Sequence, residues 1–368
     1  MDDIVLVTAD SVRRDYADAF ESLSDLPVRT GVTGSHYTRP SLASLVSASY
    51  RGAITTEVVS PTIAEVLSEA GYTCLGYTPT PNTDARFGFD RGFDDFDTFV
   101  EPGNRGSKLR QKLGSIDALR WIYYKIYPPQ AKSENRPRDR EVIERAIEEF
   151  NDAEPPRFLW VHLMETHRPY GVGDEAMSKQ LDQKAFFKPD KLTDEEQAQI
   201  EGKYADAIRR ADDDIAHLLA EIDSDPTLAV TADHGEGFGE EGFYFHQGHK
   251  RSVADFQTKV PVFFDGVDVE GPLSLLDIPP TLVESVGVDA PAAWHGTNLL
   301  ESDSEYAVTI APWHDTATVA WRDYEKTFVA RDADVSFEEG DTTADVERSD
   351  VDQELEEQLQ DLGYMDAG

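Results

Sequence analysis

Short apolar runs bounded by polar residues recur along the chain, and several of them stop on carboxylates or imidazoles. Ile4-Val5-Leu6-Val7-Thr8-Ala9 ends at Asp10, and Leu228-Ala229-Val230-Thr231-Ala232 ends at Asp233-His234-Gly235-Glu236. Phe158-Leu159-Trp160-Val161-His162-Leu163-Met164 ends at Glu165-Thr166-His167. Runs of this kind mark strands buried on both faces, as in parallel sheets. The pattern predicts strands at residues 4–8, 73–77, 158–164, around 228 and at 260–264. Helical periodicity fills the intervals: 40–49 with Pro40 near its first turn, 62–70 closed by Gly71, 138–151, 194–222, and 276–286 ended by Gly287. Alternation of this sort predicts an α/β fold with a mostly parallel central sheet covered on both faces. Beyond about residue 300 the texture changes. Residues 306–310, 316–321 and 327–331 predict a small antiparallel sheet, 336–350 an exposed acidic loop and 352–362 a terminal helix. The expected organisation is a large α/β domain over 1–300 and a small C-terminal subdomain over 301–368.

The chain has 368 residues and a formal charge of -38. The acids are spread along the whole sequence, which predicts a heavily solvated, halophilic surface whose self-repulsion salt would screen. Such a surface repels phosphate, so nucleic acid is not an expected partner. The single cysteine, Cys74, lies in a strand-like run and reads as a buried packing thiol. The first apolar run starts too early for a signal peptide and no run is long enough to span a membrane, so the expected location is cytoplasmic. Residues 105–140 break the acidic rule. They are basic and aromatic with partial helical spacing, either an ordinary helix packed on the core or an insert that touches a membrane or a lipid-linked substrate.

The chemistry concentrates at strand ends, where open α/β sheets gather functional groups. Asp10, Asp233 and His234 are suited to converge on one divalent ion. Thr38, just ahead of the helix that Pro40 helps begin, sits where free N–H groups favour an anion, and beside such an ion it becomes a candidate fourth ligand and nucleophile. His167 lies past a strand end, within reach of a ligand, whereas His162 lies inside the apolar run and reads as a hydrogen-bonded core histidine. His246 and His249 follow closely after His234 and are candidates beside an exposed-loop reading. Asn82 is a candidate substrate contact, although turn asparagines are common.

Together these motifs resemble the sulfatase branch of the alkaline-phosphatase superfamily, over nearly the whole chain. The resemblance is carried by the strand ending at Asp10, by Thr38-Arg39-Pro40-Ser41, by Phe87-Gly88-Phe89-Asp90-Arg91-Gly92-Phe93-Asp94, by His167-Arg168-Pro169-Tyr170 and by Asp233-His234-Gly235-Glu236 with Val260-Pro261. Leu276-Asp277-Ile278-Pro279-Pro280-Thr281-Leu282 and Leu362-Gly363-Tyr364 add to it. It implies an alkaline-phosphatase-like three-layer sandwich with a small C-terminal antiparallel sheet. It also implies a metal-dependent hydrolase of phosphate mono- or diesters or sulfate esters. Thr38 would be the nucleophile, the ion would be held by Asp10, Thr38, Asp233 and His234, and His167 with His246 or His249 would stabilise the ester oxygens or protonate the leaving group. Arg39 and Lys250 would add positive charge, and Glu236 would orient His234 or Thr38. Two departures bear on the substrate. Thr38 stands where sulfatases carry the Cys or Ser that becomes formylglycine, so none is expected, and Leu42 stands at the motif's Arg. An imidazole in the ligand set favours Mn or Zn, with Ca or Mg as alternatives, and one ion rather than two. A phosphoryl-group transferase acting on a glycan or lipid-linked acceptor, and a non-catalytic protein that binds anionic glycans, are the alternative readings.

Overall fold

The computed structural model describes residues 2–99, 136–313, 316–333, 338–339 and 342–343. The basic insert is therefore described only from Arg136 onward. The acidic loop expected at 336–350 falls almost entirely outside the described residues, and the terminal helix and Leu362-Gly363-Tyr364 fall wholly outside them.

In chain order the elements are β1 (Ile4–Ala9), β2 (Arg29–Val32), α1 (Thr38–Val46), α2 (Tyr50–Thr55), α3 (Ile63–Glu69), β3 (Thr73–Tyr77), β4 (Asp95–Asp97), α4 (Asp139–Asp152), β5 (Arg157–Leu163), α5 (Lys179–Phe187), α6 (Asp194–Glu221), β6 (Thr227–Ala232), α7 (Asp255–Thr258), β7 (Lys259–Asp265), β8 (Leu273–Ser274), α8 (Ile278–Ser285), β9 (Ala307–Trp313), β10 (Thr316–Arg322) and β11 (Thr327–Ala333). A single eight-stranded sheet runs in the order β4-β3-β5-β1-β6-β7-β2-β8. Only β7 is antiparallel to its neighbours. β1, β5 and β6 are buried along their whole length, as their unbroken apolar runs require.

Two groups of helices cover the sheet. α4 packs on α6, β5 and β3, while α8 packs on α1, α3 and β6. The start of α3 is set by a reciprocal cap: Thr62 Oγ1 accepts from the Glu65 N–H and Glu65 Oε2 accepts from the Thr62 N–H, both at 2.9 Å. The helix expected at 40–49 is interrupted. α1 ends at Val46, and α2 restarts at Tyr50 behind a Ser49 cap. α2 crosses α1 so closely that a Cβ on Gly52 would stand 2.5 Å from the Ala43 carbonyl carbon.

β9, β10 and β11 form the separate antiparallel sheet. It is tied to the large sheet through the loop that precedes α1: Ile310 N donates to Gly34 O at 2.8 Å and Thr309 Oγ1 to Thr33 O at 2.8 Å. Arg322 is buried and donates to Thr309 Oγ1 at 3.1 Å and Thr258 Oγ1 at 3.1 Å. Cys74 is a buried free thiol, and burial pushes it up to about 12, so it is a packing group. Among the described residues, no helix is long and apolar enough to cross a membrane.

Candidate active site

Three adjacent parallel strands end side by side. Ala9 of β1 is in register with Leu163 of β5 and with Ala232 of β6. The ladder continues one step further: Asp10 N donates to Leu163 O at 2.9 Å, and Asp233 N donates to Ala9 O at 3.2 Å. Asp10 and Asp233 are thus delivered to neighbouring positions by sheet pairing alone. His162 is in register with Thr8, so both lie on the face of the pleat to which Asp10 also belongs. The fourth contribution comes from α1, whose first residue is Thr38. Ser41 Oγ donates to Asp233 O at 2.5 Å, which fixes the start of α1 against the end of β6.

The side chains converge in a buried cluster. Thr38 Oγ1 is 3.2 Å from Asp10 Oδ2 and 3.3 Å from His234 Nε2. His234 Nε2 is 3.4 Å from Asp233 Oδ2. His234 Nδ1 donates to Gly235 O at 2.8 Å, which leaves the lone pair on Nε2, facing Thr38. Asp233 Oδ1 accepts from Ser11 N at 2.9 Å and from His234 N at 2.8 Å. Asp10, Thr38, Asp233 and His234 are all buried. Burial alone would raise Asp10, but its contacts with the surrounding imidazoles hold it well below the usual carboxylate range. Burial and the charge of Asp10 push Asp233 well up, and burial together with His246 pushes His234 down to about 3.

A second layer of groups lies beside this one. The ring of His246 is 4.5 Å from that of His234 and 5.1 Å from that of His167, centroid to centroid. His246 Nδ1 lies 3.2 Å from Glu236 Oε1 and 3.2 Å from Ser11 Oγ. Glu236 Oε2 accepts from the Tyr170 hydroxyl at 3.1 Å. Glu236 therefore orients His246, not His234 or Thr38 as the sequence suggested. The reason is geometric: its carboxylate faces the strand-end loop of His167-Arg168-Pro169-Tyr170 rather than α1. Burial pulls His246 down, yet the Glu236 carboxylate outweighs it and raises the imidazole. His246 Nε2 has no hydrogen-bond partner. His167 is opposite in character. Its Nδ1 donates to Arg168 O at 2.5 Å, and burial holds it well below the ordinary histidine range, so it is neutral with an acceptor at Nε2.

The remaining candidates divide. Arg39 is buried at the second position of α1 with its guanidinium 4.2 Å above the Phe87 ring. Asn82 is buried in the turn Pro81–Thr83, which packs against α1, and its Nδ2 has no hydrogen-bond partner. His249 and Lys250 are exposed rather than buried with the cluster; His249 meets the Trp313 ring edge-on, and Lys250 Nζ lies 5.8 Å from the Phe243 ring. Ser11 escaped the sequence reading, and His162 reads there as a hydrogen-bonded core histidine. Ser11, in a left-handed conformation at φ 58, links Asp10, Asp233 and His246. His162 presents Nε2 to Asp10 Oδ2 at 3.8 Å rather than to apolar core. The available signal was its place one residue before the end of an otherwise apolar strand.

The residues present fit a divalent cation. Oxygen and nitrogen donors on such an ion sit about 2.0–2.2 Å from it, which places neighbouring donors roughly 3–4 Å apart. One oxygen each of Asp10 and Asp233 and one nitrogen of His162 lie within 4.8 Å of one another, and Thr38 and His234 adjoin them. Asp233 Oδ2 is buried with no hydrogen-bond partner. A cation would balance two buried carboxylates with lone pairs converging on them. Asp10, His167 and His246 form a second group of the same dimensions that shares Asp10.

A family model described as Sulfatase matches residues 2–288. Among solved structures, the chain is similar to a phosphonate monoester hydrolase of Agrobacterium radiobacter, at 16% identity and a TM-score of 0.63, covering 90% of this chain and 87% of that one. It is similar to phosphonate monoester hydrolase SpPMH from Silicibacter pomeroyi, at 18% identity and a TM-score of 0.62, covering 91% and 88%. It is also similar to the C-terminal periplasmic domain of EcEptC from Escherichia coli in complex with Zn, at 14% identity and a TM-score of 0.55, covering 86% and 91%. At these identities the likeness establishes the fold. Among curated proteins, none matches this chain.

Proposed function

The chain belongs to the sulfatase family, and from that premise we propose that it hydrolyses phosphate mono- or diesters, with sulfate esters as weaker substrates, through Thr38. The observation that carries this reading is the position of Thr38 Oγ1, 3.2 Å from Asp10 Oδ2 and 3.3 Å from His234 Nε2 at the start of α1. A hydroxyl there has proton acceptors on two sides and a helix N-terminus behind it.

Asp10, Thr38, Asp233 and His234 would hold one divalent ion, zinc or manganese by the chemistry of the donor set. When bound, it supplies Lewis-acid polarisation of the ester and lowers the pKa of the Thr38 hydroxyl. Thr38 Oγ1 forms the new bond to phosphorus as the bond to the leaving alkoxide breaks, and its proton passes to the buried carboxylate pair. His246, kept charged by Glu236, donates from Nε2 to a non-bridging oxygen or to the leaving alkoxide. Asn82 and Arg39 contribute further donors to the ester oxygens. Neutral His167 accepts a proton from the water that later releases Thr38. The residues leave no route through formylglycine, because a threonine stands at that position.

The test is a panel of aryl phosphodiester, phosphate monoester, phosphonate ester and sulfate with Zn, Mn, Mg and Ca, at high salt. The expected result is turnover of a phosphate ester with Zn or Mn and an acid-quenched peptide phosphorylated at Thr38. An unmodified Thr38 during turnover rejects the nucleophile, and no turnover of any ester leaves an anion-binding protein.

A further inference from the structure

His162 sits in a run that reads as core, and its surroundings are not those of a core histidine. It is wholly buried. Its Nδ1 lies 2.9 Å from Thr8 Oγ1, which also accepts the Trp160 Nε1–H at 3.0 Å. Thr8 Oγ1 can accept a second proton, from the imidazole Nδ1. The Thr8 hydroxyl proton is then directed to Val161 O, at 3.4 Å. That arrangement puts the lone pair of His162 on Nε2, and Nε2 has no hydrogen-bond partner. It points at Asp10 Oδ2, 3.8 Å away, beyond hydrogen-bond range.

Three electron-pair donors, from Asp10, Asp233 and His162, therefore face one another within 4.8 Å. With the lone pair on Nε2, His162 aims an acceptor at two carboxylates. A shared cation explains this, and the spacing is that of donors around one ion. Thr8 and Trp160 supply what ligating histidines generally have, a partner on the far nitrogen that fixes tautomer and ring orientation.

We propose that His162 is a fifth protein ligand to the ion, so that the centre carries two imidazoles and five protein donors; this rests on the reading that Asp10, Thr38, Asp233 and His234 hold a divalent cation. A second imidazole displaces the preference away from calcium and magnesium toward zinc. It also leaves at most one coordination position for a substrate oxygen.

The experiment is X-ray absorption at the zinc edge on the zinc-loaded full-length protein, with zinc affinity measured by chelator competition. Two imidazoles are expected in the wild type and one in His162→Gln, with affinity lowered about 100-fold or more, beyond the ~10–100-fold that loss of an outer partner costs. The isosteric Thr8→Val keeps the ligand but loosens its ring, so its count should stay at two while affinity falls about 10-fold. Should His162→Gln not fold, the wild-type count still decides. One imidazole in the wild type, or two in His162→Gln, overturns the role of His162 while leaving the four-residue site standing. No zinc or manganese bound by the wild type overturns both.

Discussion

Thr38 Oγ1 lies 3.3 Å from His234 Nε2, although the two residues are 196 positions apart and belong to different elements. One begins α1 and the other follows β6, and their meeting places the hydroxyl that we propose as the nucleophile. Thr38→Val keeps the shape and removes the oxygen. We expect it to lower kcat by roughly a thousandfold or more, whereas Thr38→Ser should stay within about tenfold of wild type. Equal losses in both variants would show that the methyl group, not the oxygen, matters there.

Removal of the ion should cost stability as well as activity. Asp10 and Asp233 are buried together, and in the ion-free protein Asp233 is driven toward its protonated form. An ion at about 100 times its Kd stabilises the folded state by about 2.7 kcal/mol, worth roughly 3–4 °C in Tm for a chain of this size. Differential scanning fluorimetry with and without chelator measures it. Because the ion displaces the Asp233 proton, its affinity should fall as pH falls through the raised Asp233 pKa.

Glu236 sets the charge of His246 through the 3.2 Å contact between Oε1 and Nδ1. Burial depresses the imidazole, but the carboxylate more than offsets it, so His246 keeps its proton to a higher pH than an ordinary histidine. Glu236→Gln removes the offset. The alkaline limb of the kcat/KM profile should therefore move to lower pH. A limb that does not move assigns the proton donor elsewhere.

Asp139 begins α4 and accepts the N–H groups of Met164 and Glu165, both at 2.8 Å, in the turn that leads to His167. Burial first, and the Glu165 charge second, raise it to about 7. The folded state thus holds a proton that the unfolded chain releases near pH 4. This contribution to stability is complete below that pH and is lost as pH rises through about 7, on the order of 4 kcal/mol at most. Urea unfolding at pH 5 and pH 8 should show a smaller difference for Asp139→Asn than for wild type.

Gly235 follows His234, and a Cβ there would stand 2.0 Å from Phe256 O. That oxygen belongs to the backbone and cannot swing aside. Gly235 O also accepts from His234 Nδ1 at 2.8 Å and from Gln257 Nε2 at 2.8 Å, so a displaced peptide carries the ligand with it. Gly235→Ala should cost about 1–3 kcal/mol and weaken zinc binding in the same protein, read by thermal melts and chelator competition.

Much of the fold was legible because its central strands are buried on both faces. β1, β3, β5, β6 and β7 announce themselves as apolar runs, and α3 carries its start signal in Thr62 and Glu65. β2, β4 and β8 passed unnoticed because they are two to four residues long, and the half-buried β4 reads Asp-Phe-Asp. α5 was missed beside the longer α6. At the site, Asp10, Thr38, Asp233 and His234 could be named from strand and helix ends. His162 could not, since an imidazole inside an apolar run reads as packing until the neighbouring strand supplies Asp10. The partner of Glu236 was equally out of reach, because no spacing in the sequence relates it to Tyr170 and His246.

β1 is paired along all six of its residues to β5 on one side and β6 on the other. Its end therefore cannot drift without unzipping two ladders at once. Surface segments can be exchanged, lengthened or recharged around it while the reactive cluster keeps its dimensions. The two carboxylates that follow β1 and β6, Asp10 and Asp233, therefore inherit their separation from the sheet and not from the segments that surround them.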